Sequence, residues 1–483
     1  MKLILSLLFI LFSFELSFAF DFQDKLEIEN RVQKAMNKLD ATVLSQSLDD
    51  TIITAYQQIL HLNPSKIELM TIRLLLTGYD HEAPMNISHF IEQLFVVKSQ
   101  KDQMTYEYVS QNIDLIENLN LNLAPLYGVY KTRQLNDVEP QGSAKLKPLY
   151  NTSNYNVYYG YLHSHSGFSD GKGTPNDAYY MAKFTAKLDF FALTDHSEFL
   201  HFWPWTQKYK KIRRAARDYN EDGRFTALHG FEWSHPLLGH FNVINSNSYT
   251  SAIIRPTMGF LMSWLSRRPH AFGRFNHPGR ENMKYWPYEF SKLKLYPKAI
   301  KNVVGIEMWN KRDNLDEYIN KRQSFMKNHN FLDNANLNGW FVGAVGGQDN
   351  HDRDWGIRND RRVGVWSTGL TRQEIVQAYF DRRTFATDDK NAWLSFKING
   401  AEMGSRLQAG NYKFQIKFGD KDNETFKKIK LVKSGHVIKE YIIKNTNSLT
   451  GSLPTELNDY FYVVAEQEDG DKVLSSPIWI VQN

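Results

Sequence analysis

Apolar residues recur every three or four positions across 28–39, 51–62, 66–76 and 87–97, the spacing of helices that each bury one face. No chemical motif falls in this stretch, and its histidines, His61, His81 and His89, stand alone. It reads as a helical packing region; a partner groove is the other use of stacked helical hairpins. After a stretch of Gly, Pro and polar residues over 136–150, the pattern changes to short apolar runs alternating with helical ones. Runs at 157–162, 190–193, 225–228, 240–244, 271–275, 303–308 and 342–345 predict the strands of a parallel sheet or barrel. Between the first two, Thr174 can cap a helix, Pro175 fits its first turn, Asp177 complements its dipole, and 178–187 continues it. From about Trp393 strict alternation takes over, at 412–418, 429–432, 437–443 and 460–465, and predicts a small β-sandwich.

The expected division is a signal peptide over 1–19, a helical region and linker over 20–150, an α/β domain over 151–390 and the β-sandwich over 391–483. Met1 and Lys2 lead into an apolar run over 3–14, and small residues at Ser17 and Ala19 suit cleavage after Ala19. Glu15 stops that run short of the ~20 apolar residues a spanning helix needs, so export to a periplasmic or extracellular space is expected, with no membrane span after cleavage.

Composition narrows the chemistry. With 483 residues, 42% hydrophobic and 14% aromatic, the chain can bury a sizeable core in two or three units. A net charge of +5, with Lys and Arg scattered, does not argue for nucleic acid. The densest basic run, Lys210, Lys211, Arg213, Arg214 and Arg217, reads as a solvated helix face. Cysteine is absent, so there is no disulfide, and any metal is held by nitrogen and oxygen.

Histidines and carboxylates gather where the predicted strands end. The first strand ends in His163-Ser164-His165, where the two-residue period of an extended chain points both imidazoles one way, and Asp170 follows in the turn. The second ends in Asp195-His196, the third leads to Glu232 with His240 a short turn later, and then come Asn276-His277-Pro278-Gly279, Glu307 and Asp349-Asn350-His351. In a parallel barrel all strand C-terminal ends open on one face, so these residues converge on one pocket. Imidazoles suit zinc, manganese or iron, and carboxylates suit manganese or bridge two ions.

Taken in order, His163-X-His165 with Ser169-Asp170-Gly171, Thr194-Asp195-His196, Glu232 with His240, Asn276-His277-Pro278-Gly279 and Asp349-X-His351 resemble the motifs of the PHP (polymerase and histidinol phosphatase) superfamily. The resemblance covers roughly 155–390, and the segments 382–387 and 399–404 resemble exported members with a trailing β-domain. It implies a distorted (β/α)7 TIM-like barrel holding two or three divalent metal ions, zinc, manganese or iron. It places His163, His165, Glu232 and Asp349 on a first ion, Glu232, His240 and His277 on a second, and Asp170, His196 and His351 on a third.

The reaction expected of such a centre is attack by a metal-bound hydroxide on a phosphoester of a small anionic substrate, with no covalent intermediate. Two alternatives stand beside it. One is amide, carbamate or carboxylic-ester hydrolysis at the same centre, and the other is a surface-binding protein that uses the α/β domain as a scaffold. Asp195 either orients His196 or is pinned in a turn. Arg280, after His277, and Lys311 with Arg312 are candidates to grip a substrate anion, with surface solvation as the plain alternative. Glu307 is an extra ligand, a proton carrier or a structural carboxylate, and His235 lies near the mouth without the context of a ligand. Trp203, Trp205, Trp233, Trp309 and Trp355 either line the mouth or pack the core.

Overall fold

A computed structural model describes residues 48–60, 62–64, 66–77, 155–200, 207–279, 286–322 and 324–482. The expected signal peptide, the helices at 28–39 and 87–97, the linker, Arg280, Trp203, Trp205, His61, His81, His89 and His201 lie outside them. The described residues fall into two compact units. One holds those of 48–77, 197–211 and 250–256, and the other holds 155–196, 212–249 and the described residues from 257 to 482.

In the first unit, the 51–62 and 66–76 periodicities become the helices Leu48–Ala55, running on as a wider turn Tyr56–Leu60, and Lys66–Thr77. Ile52, Ala55, Ile72 and Leu75 are buried, as one-sided amphipathic helices require. Among the described residues, no helix is long and apolar enough to cross a membrane.

The second unit opens with nine strands, β1 (Asn156–Tyr161), β2 (Phe190–Leu193), β3 (Thr226–His235), β4 (Gly239–Ile244), β5 (Phe272–Phe275), β6 (Val303–Asn310), β7 (Gly343–Gly347), β8 (Arg362–Ser367) and β9 (Thr384–Thr387). They hydrogen-bond in the order β9-β8-β1-β2-β3-β4-β5-β6-β7. Every position of β2 to β7 is buried, matching the near-continuous apolar runs of a sheet covered on both faces. Thr174 caps the helix Pro175–Tyr180 with the full capping box expected of it: its hydroxyl accepts from Asp177 N, and Asp177 accepts from Thr174 N.

The expectation of a parallel sheet holds in part. The pairs β1–β2, β2–β3, β5–β6 and β6–β7 are parallel, but β4 is antiparallel to both β3 and β5, and β8 is antiparallel to β1 and β9. Only residues 236–238 separate β3 from β4. A parallel crossover needs about a dozen residues or more, so that link can only form a hairpin. At the far edge the ends of β7 and β1 meet: Asp349 N donates to His163 O, and His165 N donates to Asn350 O.

The C-terminal alternation gives β10 (Trp393–Ile398), β11 (Ala401–Glu402), β12 (Arg406–Leu407), β13 (Gly410–Gly419), β14 (Phe426–Lys433), β15 (His436–Ile442), β16 (Ser448–Thr455), β17 (Tyr460–Gln467), β18 (Lys472–Ser475) and β19 (Ile478–Ile480). The sheet β11-β10-β13-β16 shares one apolar core with β14, β17 and β18, built from residues such as Phe396, Ile416, Leu431, Val463 and Val473. Hydrogen bonding is continuous with the first nine strands. Leu474 pairs with Ala386, and Ser476 Oγ accepts from Ala344 N in β7. The C-terminal strands therefore brace the strand whose end carries Asp349 and His351.

Candidate metal centre

Backbone hydrogen bonds at the strand ends fix the site. Thr194 N donates to Ser164 O, Glu232 N donates to Asp195 O, and the β7 end is tied to the β1 end as above. The motif loops are thus neighbours in space. Two placements differ from the strand-end expectation. Glu232 lies inside β3, which runs on into the hairpin, and His240 lies near the start of β4. The antiparallel register Ser234↔His240 brings His240 back to the same end, where a parallel strand would have put its start on the opposite face.

Seven of the nine expected ligands, His163, His165, His196, Glu232, His240, His277 and Asp349, are at most 2% exposed. Glu232 sits at their centre. Its Oε1 is 3.0 Å from His163 Nε2 and 3.5 Å from both His240 Nδ1 and His277 Nε2, and its Oε2 is 3.3 Å from His165 Nε2 and 3.0 Å from His196 Nδ1. Asp349 Oδ1 lies 3.1 Å from His165 Nε2 and 3.4 Å from His163 Nε2. Asp170 meets His196 Nε2 at 3.5 Å and His351 Nε2 at 3.3 Å.

Three groups of ligand atoms each converge within 4.8 Å: His163, His165, Glu232 and Asp349; His165, Asp170, His196 and His351; and His196, Glu232 and His240. His165, His196 and Glu232 belong to two groups each. Compared with the sets implied by the resemblance, His165 joins Asp170, His196 and His351, and the Glu232–His240 pair is completed by His196. His277 stays beside Glu232, with its ring 4.9 Å from that of His240. A fourth group, Asp389, Asp420 and Glu424, is wholly carboxylate and shares no residue with the others.

Other groups hold these side chains in place, and of the roles open to Glu307 from sequence its bonds describe the structural carboxylate. Glu307 is buried and accepts from His163 Nδ1 at 2.8 Å, Arg274 Nη2 at 2.9 Å, His277 N at 2.8 Å and Asn310 Nδ2 at 2.9 Å. It is a carboxylate clamp that turns His163 Nε2 toward Glu232 and Asp349. Gly347 makes room for it, since a Cβ there would lie 2.4 Å from His163 Cβ and 2.6 Å from Glu307 Oε1. Asn276 Nδ2 donates to Glu232 Oε1, and Ser234 Oγ pairs with His196 Nδ1. The sequence signals for these were a buried-strand arginine, Arg274, and the two-residue period that places Ser234 on the face of Glu232. Asp195 accepts from Ser166 N, Ser166 Oγ, Ser169 N and Ser169 Oγ, so its carboxylate pins the turn that presents Asp170. His277, Lys311 and Asp349 all adopt left-handed backbone, with φ of 29°, 47° and 46°. Such non-glycine strain costs about 1–3 kcal/mol per residue and gathers at functional sites.

The electrostatics fit a cation site. Burial alone would lower His163, but Glu232, Glu307 and Asp349 outweigh it and raise it to about 9. Burial would raise Glu232, yet His163, His240 and His196 hold its carboxyl well below the usual range. His165 is pushed down by burial and by His351 and His196, which leaves a neutral imidazole able to ligate. His163 Nε2, His165 Nε2, Asp170 Oδ1 and Glu232 Oε2 are buried without a well-directed hydrogen bond in the protein. Leaving buried polar atoms unmade costs about 1–3 kcal/mol each, and a divalent ion among them removes that cost. The clusters fit a site for divalent metal ions.

A pH dependence follows. The raised His163 pKa means that its imidazolium stabilises the metal-free fold fully below 6.5 and stops doing so as pH rises through about 9. A metal must displace that proton, so apparent metal affinity is expected to tighten about tenfold per pH unit across this window. Calorimetric titration in buffers of different ionisation enthalpy would show about one proton released. An affinity that is flat across that window would contradict the assignment.

The remaining candidates separate clearly. Trp233, Trp309 and Trp355 are fully buried, and Trp355 Nε1 donates to His165 O, so they pack and brace the site. His235 Nδ1 accepts from Leu237 N and Leu238 N and so shapes the β3–β4 turn. Arg312 is exposed, whereas Lys311 Nζ turns in to Asp349 Oδ2 at 3.2 Å.

No family model matches the chain. It is 22% identical over 438 residues to an uncharacterized protein of Chlamydia pneumoniae, covering 80% of this chain and 69% of that one. An uncharacterized protein of Chlamydia trachomatis is also 22% identical, over 436 residues, with 79% and 68% covered. Among solved structures, the chain is similar to a two-domain protein of Bacteroides vulgatus described as containing a predicted PHP-like metal-dependent phosphoesterase, at 19% identity and a TM-score of 0.37, covering 68% of this chain and 97% of that one.

Proposed function

We propose that this chain is an exported metal-dependent phosphoesterase of the PHP type. The observation that carries the reading is the sharing of His165, His196 and Glu232 between three largely buried ligand groups, an arrangement suited to two or three adjacent ions. His163, His165, Glu232 and Asp349 would hold one, His196, Glu232, His240 and the adjacent His277 another, and His165, Asp170, His196 and His351 a third. When bound, such ions supply water activation near neutral pH and stabilise charge on phosphoryl oxygens.

The chain's own residues do the rest. Glu307 keeps the His163 proton at Nδ1 and the Nε2 face available. Asp195 holds the turn under Asp170. The Asp170 and His351 side chains are 7% and 24% exposed, so a substrate reaches the cluster from their side. The hydrogen bonds joining the β7 and β1 ends support closure of the sheet into a distorted barrel, followed by a β-sandwich. The apolar run over 3–14 with Ala19 supports export.

The test is hydrolysis by the metal-loaded protein of an aryl phosphomonoester, an aryl phosphodiester, a neutral aryl carboxylic ester and an aryl amide. Metal-dependent turnover of a phosphate ester is the expected result. Turnover confined to the carboxylic ester or amide would replace the reading with the amide- and ester-hydrolase alternative, and no turnover of any would remove the enzyme reading.

A further inference from the structure

Resting on that reading, we infer that Lys311 grips the anionic group of the substrate and that the substrate is an ester carrying formal negative charge, a phosphomonoester first. Lys311 directly follows β6, and its ammonium lies 3.2 Å from Asp349 Oδ2, the oxygen opposite the one that faces His163 and His165. Its side chain is 35% exposed while that of Asp349 is 2% exposed, so it spans from the buried cluster to solvent.

This placement is built. The Lys311 backbone is left-handed, at φ 47°, and its carbonyl accepts from Asn359 Nδ2 at 2.9 Å and Arg361 Nη1 at 3.4 Å. Asn359 is held in turn by Gln348 Nε2, whose own Oε1 accepts from Tyr161 Oη. Among the described residues, four other cations are committed to carboxylates: Arg274 to Glu307, Lys172 and Arg358 to Asp352, and Arg361 to Asp388.

Charge points the same way. Asp170, Glu232 and Asp349 supply three negative charges to the proposed ligand set, and two or three divalent ions exceed them. Were Asp349 shared with a bound cation, the half-exposed Lys311 ammonium beside it would be less compensated. A neutral ester gives it nothing to bind, whereas a phosphate dianion offers charge-assisted acceptors.

The test is calorimetric binding of inorganic phosphate to the metal-loaded full chain, as wild type, Lys311→Met and Lys311→Arg, with metal content measured on each. Lys311→Met is expected to weaken phosphate binding ~10- to 100-fold at unchanged metal content, and Lys311→Arg to recover most of it. In the hydrolysis assay Lys311→Met is then expected to raise KM for the aryl phosphate more than it lowers kcat. Unaltered phosphate binding by Lys311→Met would overturn the inference. So would loss of metal in Lys311→Met, which would make Lys311 only a structural partner of Asp349. A wild type that binds no metal would instead overturn the function on which the inference rests.

Discussion

Glu232→Gln is expected to abolish metal-dependent turnover, with kcat/KM falling about a thousandfold or more and the bound ions lost together. Glu232 touches five imidazoles, and two of the three ligand groups include it. Glutamine keeps the shape but removes the charge and one acceptor, leaving the amide poorly able to bridge two cations. The size follows from the several kcal/mol that bound ions contribute to a hydrolytic transition state. Elemental analysis and steady-state kinetics on the same preparation check it. A variant that keeps full metal content and loses less than about tenfold in kcat/KM would show that Glu232 is not the shared ligand.

Glu307→Ala is expected to destabilise the fold by about 3–5 kcal/mol, the usual cost of removing one partner of a buried ion pair. Arg274 would keep its bond to Gly346 O but lose its carboxylate in a fully buried position, and His277 N would lose its acceptor. The same change frees the His163 ring, and removing such an orienting group weakens metal affinity by about 10- to 100-fold. Denaturant unfolding of metal-free protein isolates the stability term, and metal titration of the folded variant gives the other. A stability change under about 1 kcal/mol would mean that Glu307 and Arg274 are not the pair described.

The nine candidate ligands were legible in the sequence because their chemistry is concentrated and their spacing local. His163 and His165 alternate on one strand, and Asp349 and His351 repeat that spacing. The strand positions were legible for the same reason, since runs such as 190–193 are continuously apolar between polar breaks. Direction was legible only in part, since β1–β2, β2–β3, β5–β6 and β6–β7 are parallel and β4 is not. Apolar runs carry no sign of whether the next strand is parallel, and only the short 236–238 link distinguishes the β3–β4 hairpin from a crossover. The pairing within the clamp was also hidden. Glu307 stood out at a strand end with three roles open, and its pairing with Arg274 across β5 and β6 depends on tertiary register. Likewise, the place of His165 and His196 in two ligand groups each follows from stacking of His165 on both His196 and His351, at 4.3 and 4.1 Å between ring centres, a distance no spacing rule supplies.

Metal-edge anomalous diffraction from crystals of the metal-loaded full chain asks whether the strand ends of this chain form a metal centre. Two or three peaks bounded by His163, His165, Asp170, His196, Glu232, His240, Asp349 and His351 are the expected result. Peaks confined to Asp389, Asp420 and Glu424, with none among the histidines, would contradict it.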